Sequence, residues 1–249
     1  MPVPDGEMIL DGARVRSVSP ECLNVSWWRR HGAVRAAVGG RGSAALVDAH
    51  GRQLVLRHYR RGGWIRQLVA DRYWWRGAAR TRSFREWRLL FELWHAGMPV
   101  PAPVAAGYRR RGRWYTADIL VEQIRDSRTL AEHLQSVALP IAQWVTIGRT
   151  IRELHNHRVW HADLNAHNVM LDVGGKVWLI DFDRARRRRR GLWTDANLAR
   201  LYRSIEKVML GQPAERFTPA DWAALLSGYF AGDRRAVPRT PAARTPAAR

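Results

Sequence analysis

The sequence is short of cysteine, lysine, negative charge and long apolar runs, and each shortage narrows its reading. One cysteine, Cys22, stands in 249 residues. No intramolecular disulfide can form, so a reducing compartment is expected. The thiol is expected to be buried and structural rather than reactive. No stretch approaches the roughly 18–20 uncharged apolar residues of a membrane span. The opening Met1-Pro2-Val3-Pro4-Asp5-Gly6 has neither a basic start nor an apolar core, so no signal peptide is expected. Lysine occurs only at Lys176 and Lys207. Acidic residues number 22 against 42 basic ones, a formal net charge of +20 with a pI near 11.5. The positive charge is therefore almost all arginine. A field of that sign implies a polyanionic partner: nucleic acid, an anionic membrane or a phosphorylated substrate.

Tryptophan is plentiful, at thirteen residues. Trp with Arg suits a membrane interface, where an amphipathic ring and a snorkelling cation both find a place. The most informative stretch is His161-Ala162-Asp163-Leu164-Asn165-Ala166-His167-Asn168. Apolar runs at Val169–Leu171 and Val177–Ile180 follow, around a Gly174-Gly175 turn, and then Asp181-Phe182-Asp183. The runs and the turn predict a tight hairpin. That hairpin folds Asp181, eighteen residues after Asp163, back beside Asp163 and Asn168. Two carboxylates and an amide converging at loop ends can hold Mg²⁺ and activate a hydroxyl, because hard cations take oxygen ligands. The spacing is that of a kinase catalytic loop, H-x-D-x-x-x-x-N followed by D-F-x.

The rest of the chain arranges itself around this loop. Residues 1–30 read as an N-terminal arm, a short hairpin or loose segment. Residues 31–124 read as a nucleotide-binding lobe. Its glycine run, Gly40-x-Gly42-x-x-Ala45-x-Val47, lets backbone N–H groups approach phosphates and leads into a strand. A second strand, Gln53–Tyr59, follows a turn at Asp48–Arg52. It carries Arg57 where a kinase places a phosphate-binding lysine, and neither lysine of the chain is near. Residues 60–83 form a basic, aromatic insert. Apolar positions 64, 65, 68 and 69 share one helical face, that of an interfacial helix or of a cover on the lobe. A helix is predicted from Phe84 to His95, capped by Ser83, with Glu86 in its first turn within reach of Arg57. Val104–Tyr108 and Trp114–Ile124 pair as strands and end at a hinge, Glu122-Gln123-Ile124. Residues 125–231 read as a helical catalytic lobe, with helices over Leu130–Gln135, Ile141–His157, Asp195–Leu210 and Pro219–Phe230. Residues 232–249, rich in Arg, Pro and Ala, read as a disordered basic tail.

In order and motif the chain resembles the protein-kinase-like fold. More narrowly, it resembles the Kdo (3-deoxy-D-manno-octulosonic acid) kinases of the lipopolysaccharide core kinase family. The residues that carry the likeness are the loop 161–168, Leu179–Arg184, Leu56-Arg57-His58-Tyr59-Arg60-Arg61-Gly62-Gly63 and Phe84-Arg85-Glu86-Trp87-Arg88, within roughly residues 30 to 230. The resemblance implies an α+β, two-lobed fold, with a small antiparallel-sheet N-lobe and a mainly helical C-lobe. It implies ATP and Mg²⁺ as cofactors and transfer of the γ-phosphate to the 4-hydroxyl of Kdo on a lipid A precursor. In that reading Asp163 accepts or orients the acceptor hydroxyl, and Asn168 and Asp181 hold the metal. Arg57, oriented by Glu86, holds the nucleotide phosphates, and the Gly40–Gly42 backbone covers them. His161 braces the loop. Asn165, His167, Arg184 and Arg186 face the anionic sugar lipid. The partners expected are an anionic lipopolysaccharide precursor and an anionic membrane surface, with no nucleic acid and no obligate protein partner. The place expected is peripheral, on the cytoplasmic face of a Gram-negative inner membrane. Asp183 stands where protein kinases have glycine, and there is no room for a long activation loop, so a peptide platform is not expected. The rival readings are another kinase-fold phosphotransferase, acting on a heptose, another sugar or a protein, and a non-catalytic basic binder.

Overall fold

The computed structural model describes residues 1–3, 5–12, 19–38, 44–60, 71–189 and 191–231. The glycine run with Gly40 and Gly42, the helical face at 64–69 and the tail 232–249 lie outside these residues. Strands β1 (Pro2–Val3), β2 (Gly6–Leu10), β3 (Val34–Val38), β4 (Ala44–Ala49), β5 (Arg52–His58), β6 (Tyr73–Trp74), β7 (Pro103–Arg111) and β8 (Trp114–Glu122) form one sheet. Its order is β1-β2-β7-β8-β5-β4-β3, with β6 pairing β8, and every pairing is antiparallel. The expected turn at 48–52 joins β4 to β5 through His50 (φ +54°) and Gly51 (φ +83°). The two faces of the sheet separate by the period of two that strands impose. Tyr115, Ala117 and Ile119 of β8 join the main core with helix α2 (Arg82–His95). Val47, Leu54 and Leu56 pack on the other face with Met8, Cys22 and Trp28.

That second face corrects the expectation for residues 1–30. The short hairpin is present, β1 pairing β2 from Pro2↔Glu7 to Val3↔Gly6, but it is joined to the lobe rather than loose beside it. Strand β2 pairs with β7 from Gly6↔Arg109 to Leu10↔Ala105, and helix α1 (Val25–Arg30) seats Trp28 in the core, its indole N–H donating to Cys22 O at 2.6 Å. The apolar face of the sheet has no other cover among the described residues. Cys22 is buried as expected, and burial, with the nearby charge of Asp118, pushes its thiol up to about 12. The described end of the 60–83 insert also packs on the lobe, since Tyr73 pairs with Tyr115 and is buried.

Helix α2 begins two residues earlier than predicted, after Thr81, whose side chain makes no capping bond. Ser83 is therefore inside the helix rather than capping it. Its hydroxyl donates to Gly107 O at 2.9 Å and ties α2 to β7. Glu86 consequently sits beyond the first turn, on the buried face.

The second lobe contains β9 (Ser127–Thr129), α3 (Leu130–Leu134), α4 (Ile141–Asn156), β10 (Val159–Trp160), β11 (Val169–Asp172), β12 (Val177–Leu179), β13 (Arg186–Arg187), α5 (Trp193–Met209) and α6 (Pro219–Phe230). Reciprocal caps start α3 (Thr129 with Glu132) and α6 (Thr218 with Asp221). The stripe Trp144, Ile147, Ile151 and Leu154 of α4 is fully buried, whereas Ile141, expected on it, is half exposed. Helices α4 and α6 cross at two glycines. A Cβ on Gly148 would meet Leu225 O at 1.9 Å, and one on Gly228 would meet Val145 O at 2.0 Å. The architecture is the α+β, two-lobed, kinase-like fold that the sequence implies. Among the described residues no helix is long and apolar enough to cross a membrane.

Candidate active site

The predicted hairpin forms. Strands β11 and β12 pair from Val169↔Leu179 to Leu171↔Val177, and Gly175 takes a positive φ of +78° in the turn. Ile180 N donates to Asn168 O at 3.0 Å. Asp181 therefore leaves the hairpin next to Asn168. Asp181 itself has φ +63°. That region costs a residue with a Cβ on the order of 1–3 kcal/mol and is found where a site imposes it.

The catalytic-loop stretch is held by its own polar groups. His161 is fully buried. Its Nε2 lies 2.9 Å from Ile180 O, and Asp163 N donates to its Nδ1 at 3.2 Å. These partners select the neutral tautomer with the proton on Nε2. Burial pushes the ring's pKa down, against the Ile180 bond. His161 therefore braces the loop and ties it to the strand end that carries Asp181. Asn168 Nδ2 donates to Asp163 O at 2.8 Å, which leaves the Asn168 amide oxygen as a ligand for a cation. Asn165 was expected to face the acceptor, and the structure gives it an internal role. Its Oδ1 accepts from His167 N (2.8 Å) and Asn168 N (3.2 Å), and its side chain also bonds Asp163. His167 is exposed, as an acceptor-facing residue must be.

Asp163 is half exposed. Its carboxylate is gripped by Arg200 of α5 through Nη2 and, at 3.0 Å, through Nε. Burial would raise this carboxyl, but the Arg200 hydrogen bond and charge, with the Asn165 bond, outweigh it and hold the group below its ordinary range. Sequence reasoning missed Arg200. No signal in the sequence set it apart, since it is one of two arginines on a predicted helix, both exposed.

Across the cleft, Arg57 of β5 makes the pairing with Glu86 that was expected of it. One guanidinium nitrogen pairs with Glu86, and the other donates to Asp181 Oδ1 at 2.6 Å. Burial opposes the charge on Arg57, yet the Glu86 and Asp181 carboxylates keep its pKa well above the ordinary value. Glu86 is 4% exposed, and its second oxygen accepts from Tyr59 OH at 2.5 Å. A first-turn surface glutamate is thereby excluded. A parallel pair was not foreseen. Arg82 of α2 clasps both oxygens of Asp183, with Nε to Oδ1 at 2.6 Å, and Tyr73 OH accepts from Arg82 Nη1 at 2.9 Å. Asp183 in the glycine position was the available signal, since a partly buried carboxylate needs a cationic partner. The two aspartates of Asp181-Phe182-Asp183 are thus each bound by an arginine of the N-lobe, with Phe182 buried between them. Arg184 and Arg186 lie apart from Asp163's partners, lining a cavity with Arg82 and Arg85.

The arrangement gathers the Asp163 carboxylate, the Asn168 amide oxygen, the Asp181 carboxylate and the oriented Arg57 guanidinium around one cleft. Groups of these kinds are the ones phosphoryl transfer uses, since it needs positioning and charge neutralisation more than covalent chemistry. The likeness to known proteins agrees. The lipopolysaccharide kinase (Kdo/WaaP) family matches residues 25–229. The chain is 41% identical over 208 residues to a 3-deoxy-D-manno-octulosonic acid kinase of Photobacterium profundum, covering 84% of this chain and 88% of that protein. It is 43% identical over 226 residues to the protein of the same name from Xanthomonas axonopodis pv. citri, covering 90% and 89%. It is 45% identical over 205 residues to that of Xylella fastidiosa, covering 82% of each. The chain belongs to the lipopolysaccharide kinase (Kdo/WaaP) family and is a kinase.

Proposed function

We propose that the protein transfers the γ-phosphate of ATP to the 4-hydroxyl of Kdo on a Kdo-lipid A precursor, in assembly of the lipopolysaccharide core. The observation that carries this reading is the convergence of Asp163, Asn168 and Asp181 opposite the Arg57–Glu86 pair, in a chain so close to proteins named as Kdo kinases. Asp163 accepts or orients the proton of the acceptor hydroxyl. Its carboxylate is ionised at neutral pH, since Arg200 and Asn165 hold it low against the effect of burial. Arg57 has a fixed fork, and nucleotide phosphates that compete with Asp181 for it find a cation already charged and aimed by Glu86. Gln123, at the predicted hinge, has a buried Oε1 without a hydrogen-bond partner among the described residues.

The donor set fits magnesium. The Asn168 amide oxygen and the Asp181 carboxylate are hard oxygen donors, the kind that bind Mg²⁺ alongside substrate phosphates. Bound there, Mg²⁺ neutralises charge on the transferring phosphoryl group.

The reading places the enzyme at the cytoplasmic face of the bacterial inner membrane, as a peripheral protein beside its lipid acceptor. Its support is the tip of the β7–β8 hairpin. Arg109, Arg110, Arg111 and Arg113 are exposed there. Trp74 is 48% exposed and lies edge-on to Trp114 at 5.3 Å. Arg113 lies over Trp74, and Arg110 lies over Trp75.

The test is mass spectrometry of products from ATP, Mg²⁺ and three acceptors: Kdo-lipid A precursor, heptosylated core and a generic protein. Phosphate on the Kdo acceptor alone is expected, and transfer to either of the others instead would replace the proposal. Asp163→Asn should cut turnover by orders of magnitude while nucleotide still binds; near-normal turnover would sink the role of Asp163.

A further inference from the structure

We propose that the cavity between the start of α2 and strand β13 is a second anion site, beside the phosphoryl-transfer centre with which it shares Glu86, and that it takes a phosphate monoester carried by the acceptor. The cavity measures about 380 Å³. Four arginines line it, Arg82, Arg85, Arg184 and Arg186, against two carboxylates, Glu86 and Asp183. Both carboxylates are already committed. Asp183 is clasped by Arg82, and Glu86 is held by Arg57 and Tyr59. Arg85, Arg184 and Arg186 have no carboxylate partner among the described residues, so three guanidiniums face one cavity uncompensated. Like charges brought together in this way repel, and an anion relieves the repulsion.

The site is also built. Trp160 of β10 pairs in register with Arg186 of β13, and the Arg186 guanidinium lies 5.0 Å from the centre of the Trp160 ring. Stacking on an aromatic face pre-orders an arginine fork for a planar or tetrahedral oxyanion. Phe182 and Ala185, both buried, supply an apolar wall, and lower local polarity strengthens each charge-assisted bond. Arg85 projects from the early part of α2, where the helix dipole favours negative charge. A phosphate dianion with three acceptor oxygens matches several forks, whereas one carboxylate satisfies a single fork. The cavity is lined by Asp183, two residues beyond Asp181 in the chain, which sets it on the same loop as the proposed metal ligand. The identity of the acceptor rests on the function proposed above; the anion site itself does not.

The experiment uses the full chain and the double variant Arg85→Gln/Arg186→Gln, with Arg184→Gln as a second variant in case the first fails to fold. Inorganic phosphate is titrated calorimetrically into protein saturated with Mg²⁺ and a non-hydrolysable ATP analogue, so that the nucleotide site is filled. Binding at least tenfold weaker in the variants is expected, and equal binding overturns the site. Turnover is then measured with Kdo-lipid A precursor bearing its phosphates and with the same acceptor after phosphate removal. The variants should raise KM at least tenfold for the phosphorylated acceptor, with a much smaller change in kcat, and leave KM for the dephosphorylated one alike. Lost phosphate binding with unchanged acceptor KM would overturn the assignment to the acceptor, in favour of free phosphate or a phospholipid headgroup. If the wild-type protein phosphorylates no Kdo acceptor, the proposed function falls, and the calorimetric comparison still decides the anion site.

Discussion

Asp163 is positioned by its neighbours in sequence and adjusted by a residue far from it. Arg200, 37 residues later, binds its carboxylate from α5. Because the folded Asp163 pKa is depressed, the ionised form prevails above its ordinary range and is lost only as pH falls through the lowered value. Removing Arg200 should raise that value. We expect Arg200→Gln to shift the acid limb of the kcat/KM–pH profile to higher pH, with the alkaline side moved less; an unshifted acid limb would show that Arg200 does not tune Asp163. At this scale the spacing of motifs was informative. Asp163, Asn168 and Asp181 were legible because a short hairpin brings them together, and Arg57 and Glu86 because their positions match a kinase pattern, although Arg57 and Asp181 lie 124 residues apart. Arg82 and Arg200 were not. Their partners lie 101 and 37 residues away, and no local rule links them.

Among elements, the junction of α4, α5 and α6 sets the position of the catalytic loop. The Asn197 side chain of α5 accepts from His161 N at 3.2 Å and donates to His161 O at 2.8 Å. The same accepting oxygen faces His155 of α4 at 3.3 Å, and His155 meets Tyr229 of α6 at 2.7 Å. Burial pushes His155 down to about 4, so at neutral pH it is an uncharged hydrogen-bonding bridge. The Gly148–Gly228 crossing brings α4 and α6 close enough for this chain of bonds. In an exposed helix, Gly→Ala stabilises by about 1 kcal/mol. Here the added methyl meets backbone, so the sign reverses, and Gly148→Ala should destabilise by about 2 kcal/mol as overpacking does. Denaturant unfolding reads this directly, and an unchanged or higher midpoint would refute the crossing. The sequence marked these helices by their apolar stripes. It misplaced the start of α2 and the role of Ser83, because a serine before an apolar run looks like a cap until the sheet supplies Gly107 O as its partner.

For the whole molecule the dominant quantity is a net charge of +20. Each basic group near an anionic bilayer contributes about 1 kcal/mol of attraction, screened by salt. Flotation with vesicles should therefore show binding that needs anionic lipid and weakens steeply as salt rises. Replacing Arg109, Arg110, Arg111 and Arg113 by Gln should weaken it at least tenfold. Equal binding to neutral vesicles at high salt would overturn the membrane assignment. The excess charge was plain from composition, but its distribution only in part. The cluster at the hairpin tip is already contiguous in the chain, whereas the one at the cavity beside Asp183 exists only because the α2 approach brings Arg82 and Arg85 to Arg184 and Arg186.

Spacing by itself predicted the hairpin and the loop before it, and the resemblance that its motifs carry implied the two-lobed α+β plan and the arginine in the lysine position. The hairpin depends on contacts between near neighbours in the chain and on the periodicity that a strand imposes, whereas the lobes and Arg57 were legible only through the likeness to a known family. Folding in three dimensions decided the rest. It joined residues 1–30 to the lobe, since an apolar sheet face must be covered. It turned Asn165 inward, since loop N–H groups require acceptors. It also set Arg82 on Asp183 and Arg200 on Asp163, since a carboxylate taken from water is stable only beside a cation, and which cation arrives is settled by how the elements dock.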